Sequence, residues 1–582
     1  MKHLFRYIKG YRVRAVMAPL FKMLEACFEL MVPLVMARMI DIGIANGDKP
    51  YIIRCALTLL LLTVVGLTAS ITAQFFAAKA AMGFGKGLRH DLFRKVQSLS
   101  FSDVDNLGAS TLITRLTSDV NQSVTGVNMF LRLFLRSPFI VIGAVIMSFT
   151  VDARANLIYA VVMPLLIIVV FIITFRSIPM YKNVQGRLDR MTLLTREALS
   201  GVRVIRAFSC QDESMKEYEE ASDDLRAAQI RVGRISNLMN PVTLVIVNLG
   251  LAGLIYMGGV RVNIGGMTQG QVVALVNYIS QILVELVKLA NLIITMTKAT
   301  ASARRISDIL IMEPAQSFVG GEKNEAEDSL AAGNVQVKFD NVSLKYPGSK
   351  ENAIEGITFT AEKGETIGII GGTGSGKSTI INAIPRFYDI TDGSITIDGR
   401  DIGSYSKEEL RSKVAFVPQT STLFSGSVAE NLRMGNEDAD EASMKKSIEM
   451  AQAAQVIERH GGTLEAEILQ GGKNLSGGEK QRLSIARALV RDSELLILDD
   501  SFSALDYATE AKLRDSLKNE RKDGITFIVS QRPSSIMHAD TIIVMEDGSV
   551  AGIGKHEELL KDCEIYREIC RTQLSGMEVT PS

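Results

Sequence analysis

The sequence predicts two domains of different class. The first is an all-α membrane domain of about six spanning helices with long cytoplasmic extensions. The second is an α/β domain built on a phosphate loop, with a helical subdomain that carries a signature motif. Three observations predict this. The first half holds uncharged apolar runs of membrane-spanning length, the second alternates short β-rich runs with helical stretches, and GGTGSGKST (Gly371–Thr379) stands between a strand-like run and an apolar, helix-compatible one.

The apolar runs come first. Ala155 to Phe175, Cys55 to Ala78 and Asn237 to Val260 are uncharged and long enough to cross hydrocarbon, which takes about 20 residues. Ser137 to Val151 is shorter, and Phe130 to Leu135 extends it past Arg132. Two spans are more polar. Ala15 to Ile40 holds Lys22, Glu25, Glu29 and Arg38, and Met267 to Thr297 holds Glu285 and Lys288. The segments between spans alternate short and long. The long ones, Lys79 to Arg132 and Arg176 to Arg234, are rich in Lys and Arg, as is the N-terminus. Positive-inside bias therefore puts the N-terminus, both long loops and everything after Thr297 in the cytoplasm. The polar loops keep helical periodicity, so the spanning helices are expected to continue into the cytosol. Pro33, Pro138, Pro164 and Pro241 are expected to kink or start spans. The N-terminal MKHLFRYIKGYRVR lacks the short apolar core and small-residue cleavage site of a signal peptide.

Residues 313–334, polar and rich in Gly, Ala and acid, read as a linker. The domains are thus expected at 1–312 and 335–582. In the second, VQVKF, SITIDG, KVAFVPQ, LLILDD, ITFIVS and TIIVM are strand-like runs among helical stretches, a pattern that predicts a largely parallel sheet. The 64 basic and 64 acidic residues cancel, so charge gives no argument for a nucleic-acid partner. The five cysteines form no CxxC pair and no metal-ligand spacing, and read as reduced thiols.

The chemistry lies in three segments. Gly371, Gly372, Thr373, Gly374, Ser375, Gly376, Lys377, Ser378 and Thr379 form a G-x-x-x-x-G-K-S loop. Its backbone N–H groups can cradle phosphate oxygens, Lys377 can reach the β- and γ-phosphates, and the Ser378 hydroxyl can ligate magnesium. LLILDD is an apolar strand ending in Asp499 and Asp500. A carboxylate at that carboxyl end lies beside the loop, and Asp499 would hold Mg²⁺ through water. Between them, Leu475, Ser476, Gly477, Gly478 and Glu479 open an amphipathic helix, a second anion-binding end.

The three segments together resemble an ATP-binding cassette, with Walker A at Gly371, LSGGE at Leu475 and Walker B at Leu495. Six helices fused N-terminally to it resemble an ABC exporter half-transporter, and the likeness covers essentially the whole chain. It implies a transport ATPase that uses ATP and Mg²⁺ and works by alternating access. It also implies a second half-transporter as partner, membrane lipid around the helices, and ATP sandwiched between one chain's Walker A and the other's LSGGE. By resemblance, Tyr346 stacks on adenine, Gln419 is the Q-loop residue that touches magnesium, and Ser503 and Asp506 belong to the D-loop. The segments Asp103 to Gly108 and Arg206 to Asp212 fall where coupling helices would lie.

Two positions depart from the family pattern. The glutamate that orients or deprotonates the attacking water is replaced by Asp500, one methylene shorter, and the switch histidine by Gln531. A general base must lie within about 2.6–3.2 Å of its proton, and Gln can donate a hydrogen bond but cannot carry charge or pass protons. Together they read as a degenerate site that binds ATP and hydrolyses it poorly. The intact LSGGE can still complete a partner's site, so a heterodimer is expected, as among bacterial multidrug exporters.

Substrate is less defined. Glu25 and Glu29 stand at i and i+4 on one helix face. They read either as the lining of a cavity for cationic compounds or as local pairing, for instance Lys22 with Glu25. Glu285 and Lys288 read as a local pair. Hydrophobic or cationic drugs are the expected cargo. No motif separates this reading from a peptide, lipid or siderophore exporter, or from a regulatory subunit whose site is a nucleotide clamp.

Overall fold

The computed structural model describes residues 2–318 and 336–573. Of the expected linker, residues 319–334 lie outside the described ones. The chain divides into two units: residues 1–97 with 110–312, and residues 98–109 with 313–582.

The first unit is all helix, and the helices outrun the membrane. Lys49–Ser98 has 50 residues, about 75 Å at 1.5 Å per residue. Leu157–Ser200 has 44 and Gln269–Ile311 has 43. Gln211–Ser236 and Met239–Asn263 follow one another almost without a break. Five helical stretches are long and apolar enough to cross a membrane. The expected first span is the helix Arg12–Arg38, whose 27 residues suffice in length but whose charges keep it below the others in apolarity. Lipid-facing positions remain open in the isolated chain. Leu57, Leu60, Leu61 and Leu67 on the second span and Ile168 and Ile172 on the fourth are all more than half exposed, as expected where hydrocarbon replaces water. Pro138 and Pro241 sit in the first turns of their helices, where the missing N–H costs nothing. Pro33 and Pro164 lie inside theirs, joined by Pro19 and Pro179.

The polar residues of the spans meet in one cluster. Arg136 donates through Nη1 to Glu285 Oε1 (2.6 Å) and through Nη2 to Glu29 Oε2 (2.7 Å), with Glu25 at 3.8 Å. Lys22 holds Glu25 (2.5 Å) and Ser70 (2.9 Å); Lys288 (2.8 Å) and Ser137 (2.8 Å) complete Glu285. Depth explains the meeting. Arg136 stands 15 residues before Val151 and Glu285 16 residues after Gln269, so each lies about 23 Å from its helix end. Three acids and three bases cancel, which is how buried charge survives in hydrocarbon. The local pairs Lys22–Glu25 and Glu285–Lys288 are present, and Arg136 joins them.

The second unit carries two sheets. Five strands of the larger are parallel, in the order Thr541–Glu546, Thr366–Gly371, Ile525–Val529, Leu495–Asp499, Val414–Val417, with Ser549–Gly554 antiparallel at the edge. Leu495–Asp499 and Ile525–Val529 are buried on both faces, which explains their unbroken apolar runs. Two of the expected strands belong elsewhere. The run VQVKF, described from Gln336 on, and SITIDG lie in a separate antiparallel sheet with Ile354–Glu362, whose burial alternates residue by residue over most of its length. No helix separates VQVKF from Ile354–Glu362, so that pair cannot be a parallel crossover, and SITIDG pairs antiparallel along the other side of VQVKF. The helix after the phosphate loop is also shorter than its apolar run, stopping at Ala383 just before Pro385.

Residues 98–109 pack with this second unit. Phe101, on the short helix Phe101–Leu107, stacks against Phe387 at 4.4 Å, and Asp105 accepts from Tyr388 at 2.5 Å. Arg411 stands over the Phe101 ring. The other expected coupling segment belongs to the first unit, in the helix Val202–Ala207 and the turn after it. It buries nothing there, and Val204 and Phe208 are 61% and 76% exposed.

Arg136 gives the first test. Arg136→Met leaves the buried Glu285 and the partly exposed Glu29 without their shared cation and should cost about 3–5 kcal/mol. Thermal unfolding in detergent should fall accordingly, and Glu285→Gln added to that variant should recover part of the loss. An unchanged midpoint in Arg136→Met would show that the cluster does not hold the helices.

Candidate functional site

The strand Thr366–Gly371 ends at the phosphate loop, and the loop's shape depends on Gly376. That residue has φ +95°, and a Cβ there would meet Ile354 Cγ2 at 2.7 Å and Ala353 O at 2.9 Å. Only glycine accepts both the torsion and the approach. The helix Lys377–Ala383 begins at once, so its first amides lack intrahelical partners and point into the loop. Lys377 folds back over the loop, with Nζ donating to Gly371 O (2.9 Å) and Gly372 O (2.5 Å). Burial lowers its pKa, and Asp500 and Asp499 oppose the shift.

A cavity of about 610 Å³ opens over this loop. Its walls bring together Tyr346, Thr373, Gly374, Gly376, Lys377, Ser378, Thr379, Gln419, Asp499, Asp500 and Gln531. Tyr346 donates to Thr379 Oγ1 at 3.1 Å and meets Tyr388 edge-on at 4.8 Å, which leaves ring area at the cavity mouth. Asp499, 6% exposed, accepts from the Ser378 hydroxyl at 3.0 Å. Burial raises its carboxyl above the ordinary range, and Asp500 adds to the rise. Burial raises Asp500 too, opposed by a hydrogen bond from Gln419 and by Arg532 and Lys377.

Asp500 turns the chain. Its φ is +45°, a torsion that Asp tolerates better than most residues. The peptide is held on all sides. Asp500 N donates to Val529 O (3.0 Å), while Asp500 O accepts from Gln481 Nε2 (3.2 Å) and Ser503 Oγ (2.9 Å). Gln481 also accepts from Ala504 N at 3.1 Å, and Arg532 Nη2 donates to Ser503 O at 3.1 Å. Gln481 and Arg532 escaped the sequence reading. A buried glutamine on an amphipathic helix and an arginine beside the switch position were the signals available.

The signature segment lies elsewhere. Ser476 caps the helix Gly477–Leu489, its hydroxyl and N–H both donating to Glu479 Oε2 at 2.8 Å. Those bonds, the backbone one first, hold the Glu479 carboxyl below its ordinary range. Leu475 is buried beneath. Gly478 has no room for a side chain, since a Cβ would meet Ala504 O at 2.9 Å. Ser476 and Gly477 are exposed, and none of the five signature residues lines the cavity of their own chain. Ser503 is likewise exposed, and Asp506 caps the helix Tyr507–Glu520 through Thr509 N at 2.9 Å. All five cysteines are free thiols.

Comparison with known proteins agrees with this arrangement. The model of the ABC transporter transmembrane region matches residues 15–286, and that of the ABC transporter ATP-binding domain, described as ABC transporter, matches 354–503. An uncharacterized ABC transporter ATP-binding protein of Mycobacterium tuberculosis is 34% identical over 571 residues, 98% of this chain and 97% of its own. An ATP-dependent lipid A-core flippase of Chromobacterium violaceum is 28% identical over 574 residues, 99% of this chain and 97% of its own. A solved bacterial Atm1-family ABC exporter with ATP bound shares the fold, with a TM-score of 0.79 at 22% identity over 97% of this chain and 99% of that one. With one transmembrane region joined to one ATP-hydrolysing domain, the chain belongs to the ABC transporter family as a multi-pass membrane half-transporter.

Proposed function

We propose that this chain is the weakly hydrolysing subunit of a heterodimeric exporter for hydrophobic or cationic small molecules. The observation that carries the reading is the clamped turn at Asp500. Three neighbours, Val529, Gln481 and Ser503, fix its peptide, so the backbone cannot advance to make up for a side chain one methylene short. Its carboxylate is engaged by Gln419, and Gln531, across the cavity, can hydrogen-bond a γ-phosphate but cannot shuttle a proton. Loss of general-base function costs about 10²–10⁴-fold in rate. ATP binding should persist, because the loop, Lys377 and Tyr346 are intact.

The residues beside the loop fit a magnesium ion. The Ser378 hydroxyl, the Gln419 amide oxygen and Asp499 are hard oxygen donors. Two adjacent carboxyls raised by burial, Asp499 also by the charge of Asp500, mark a site that a divalent cation would relieve. When bound, the ion would neutralise phosphate charge, while Lys377 and the loop amides orient the phosphates.

A partner is supported by two exposed features. Ser476 and its glycines present a helix N-terminus outside their own cavity, suited to a γ-phosphate on another chain. The Val204 and Phe208 tip is apolar and uncovered, as an interface would be. Ser476→Arg should therefore lower steady-state ATPase of the assembled transporter by about 10²-fold or more. Asp500→Asn should cost less than about 10-fold, because its site already works poorly. Equal losses would refute the division of labour.

For the cargo, Glu29 is the accessible carboxylate. Its side chain is 40% exposed, against 17% for Glu25, which Lys22 holds. Glu29→Gln should weaken transport of a cationic dye more than of a neutral one, since a Coulomb attraction is lost in a partly dehydrated cavity. A lipid cargo is the second reading, favoured by the full-length likeness to the lipid A-core flippase. Equal losses for both dyes, normalised to protein in the membrane, would remove the cationic reading.

A further inference from the structure

The parallel strands Thr366–Gly371 and Ile525–Val529 end at the nucleotide cavity. Their opposite ends, about 16 Å away along the strand, border a second cavity of about 540 Å³. Its other walls are the C-terminal half of the helix Tyr507–Glu520 and the short helix Pro533–Ile536.

Arg514, Lys518, Arg521 and Lys522 line it, against Asp515 and Asp540. The Asp540 carboxylate is occupied by the Thr366 N–H at 2.9 Å. Among the described residues, none of the four bases stands within ion-pair distance of a carboxylate. The guanidiniums are steadied by carbonyls instead, Arg514 on Ser534 O (3.0 Å) and Arg521 on Ser493 O (2.6 Å). Burial, with Arg514 and Lys518 nearby, holds the His538 imidazole below its ordinary range.

The negative pole of the helix Tyr507–Glu520 accounts for Lys518 and Lys522 at this place. It does not account for two other groups. Ser535, only 1% exposed, borders the cavity with a hydroxyl that has no hydrogen-bond partner, and Arg521 Nε is buried without one. Both are polar atoms that a bound anion could satisfy. Two planar guanidiniums, a hydroxyl and two ammonium groups match a phosphate better than a single carboxylate.

We propose that this cavity binds a small phosphorylated anion and that its occupancy adjusts the ATP site. The walls lead there directly. The helix Tyr507–Glu520 starts beside Ser503 and Asp506, the helix Pro533–Ile536 starts two residues after Gln531, and Arg514 bonds one helix to the other. The phosphate belongs either to a soluble molecule or to a lipid headgroup.

The test uses the full chain in detergent with the nucleotide site saturated by a non-hydrolysable ATP analogue. Inorganic pyrophosphate and short-chain phosphatidylglycerol are titrated separately by calorimetry. One of them should bind saturably at one site per chain, and which one does identifies the source. Arg514→Gln with Lys518→Gln should weaken that binding by about tenfold or more, 1.4 kcal/mol per decade. If that pair unfolds, Lys518→Gln with Lys522→Gln, both at exposed positions, should weaken it at least about threefold. Saturable binding of neither probe, or unchanged affinity in the folded variants, would overturn the proposal.

Discussion

The second unit depends on one peptide, the left-handed turn at Asp500. It ends the strand that carries Asp499 and receives hydrogen bonds from the signature helix through Gln481 and from the D-loop through Ser503. It gives its own N–H to the strand that leads to Gln531. The stretch from Asp499 to Ser503, the signature helix and the strand Ile525–Val529 are thereby fixed around one residue. A carboxylate on so constrained a turn reaches only as far as its own bonds allow. The proposed loss of hydrolysis is therefore a matter of side-chain length, with no compensating shift available in the main chain. Gly478 adds the same stiffness from the other side, since its contact with Ala504 O leaves no play between signature helix and D-loop.

The membrane unit rests on a different device. Arg136 stands between Glu29 and Glu285, with Lys22 and Lys288 closing the charge count. In hydrocarbon, geometry of this kind decides whether charge is tolerated. The cluster alters the cavity reading of Glu25 and Glu29. Glu25 is neutralised locally, whereas Glu29 shares its cation and remains partly open.

What the sequence disclosed follows from how each feature is encoded. The phosphate loop and signature were legible because glycine at a fixed place reports a torsion or a contact no other residue permits. The spanning helices were legible from length and apolarity. The first of them was recognised in spite of its charges, and the reason for those charges was hidden. Arg136 pairs with residues 107 and 149 positions away, and no periodicity exposes a contact at that separation. The same limit hid Gln481 and Arg532, whose partners lie across the fold. The small antiparallel sheet was misassigned because VQVKF and SITIDG share the composition of the parallel strands. What differs is the pairing: VQVKF joins Ile354–Glu362 through a connection without a helix, and SITIDG pairs antiparallel on its other side.

Asp500 and Gln531 are together proposed to disable hydrolysis at a site that still binds ATP. The direct measurement is steady-state ATPase of this chain purified without a partner, as wild type and as Asp500→Glu with Gln531→His, alongside ATP affinity. ATP binding is expected in both, with very slow turnover in the wild type and a gain of about 10²-fold or more in the double variant. Brisk turnover by the wild-type chain, or no gain in a double variant that binds ATP equally well, would contradict it.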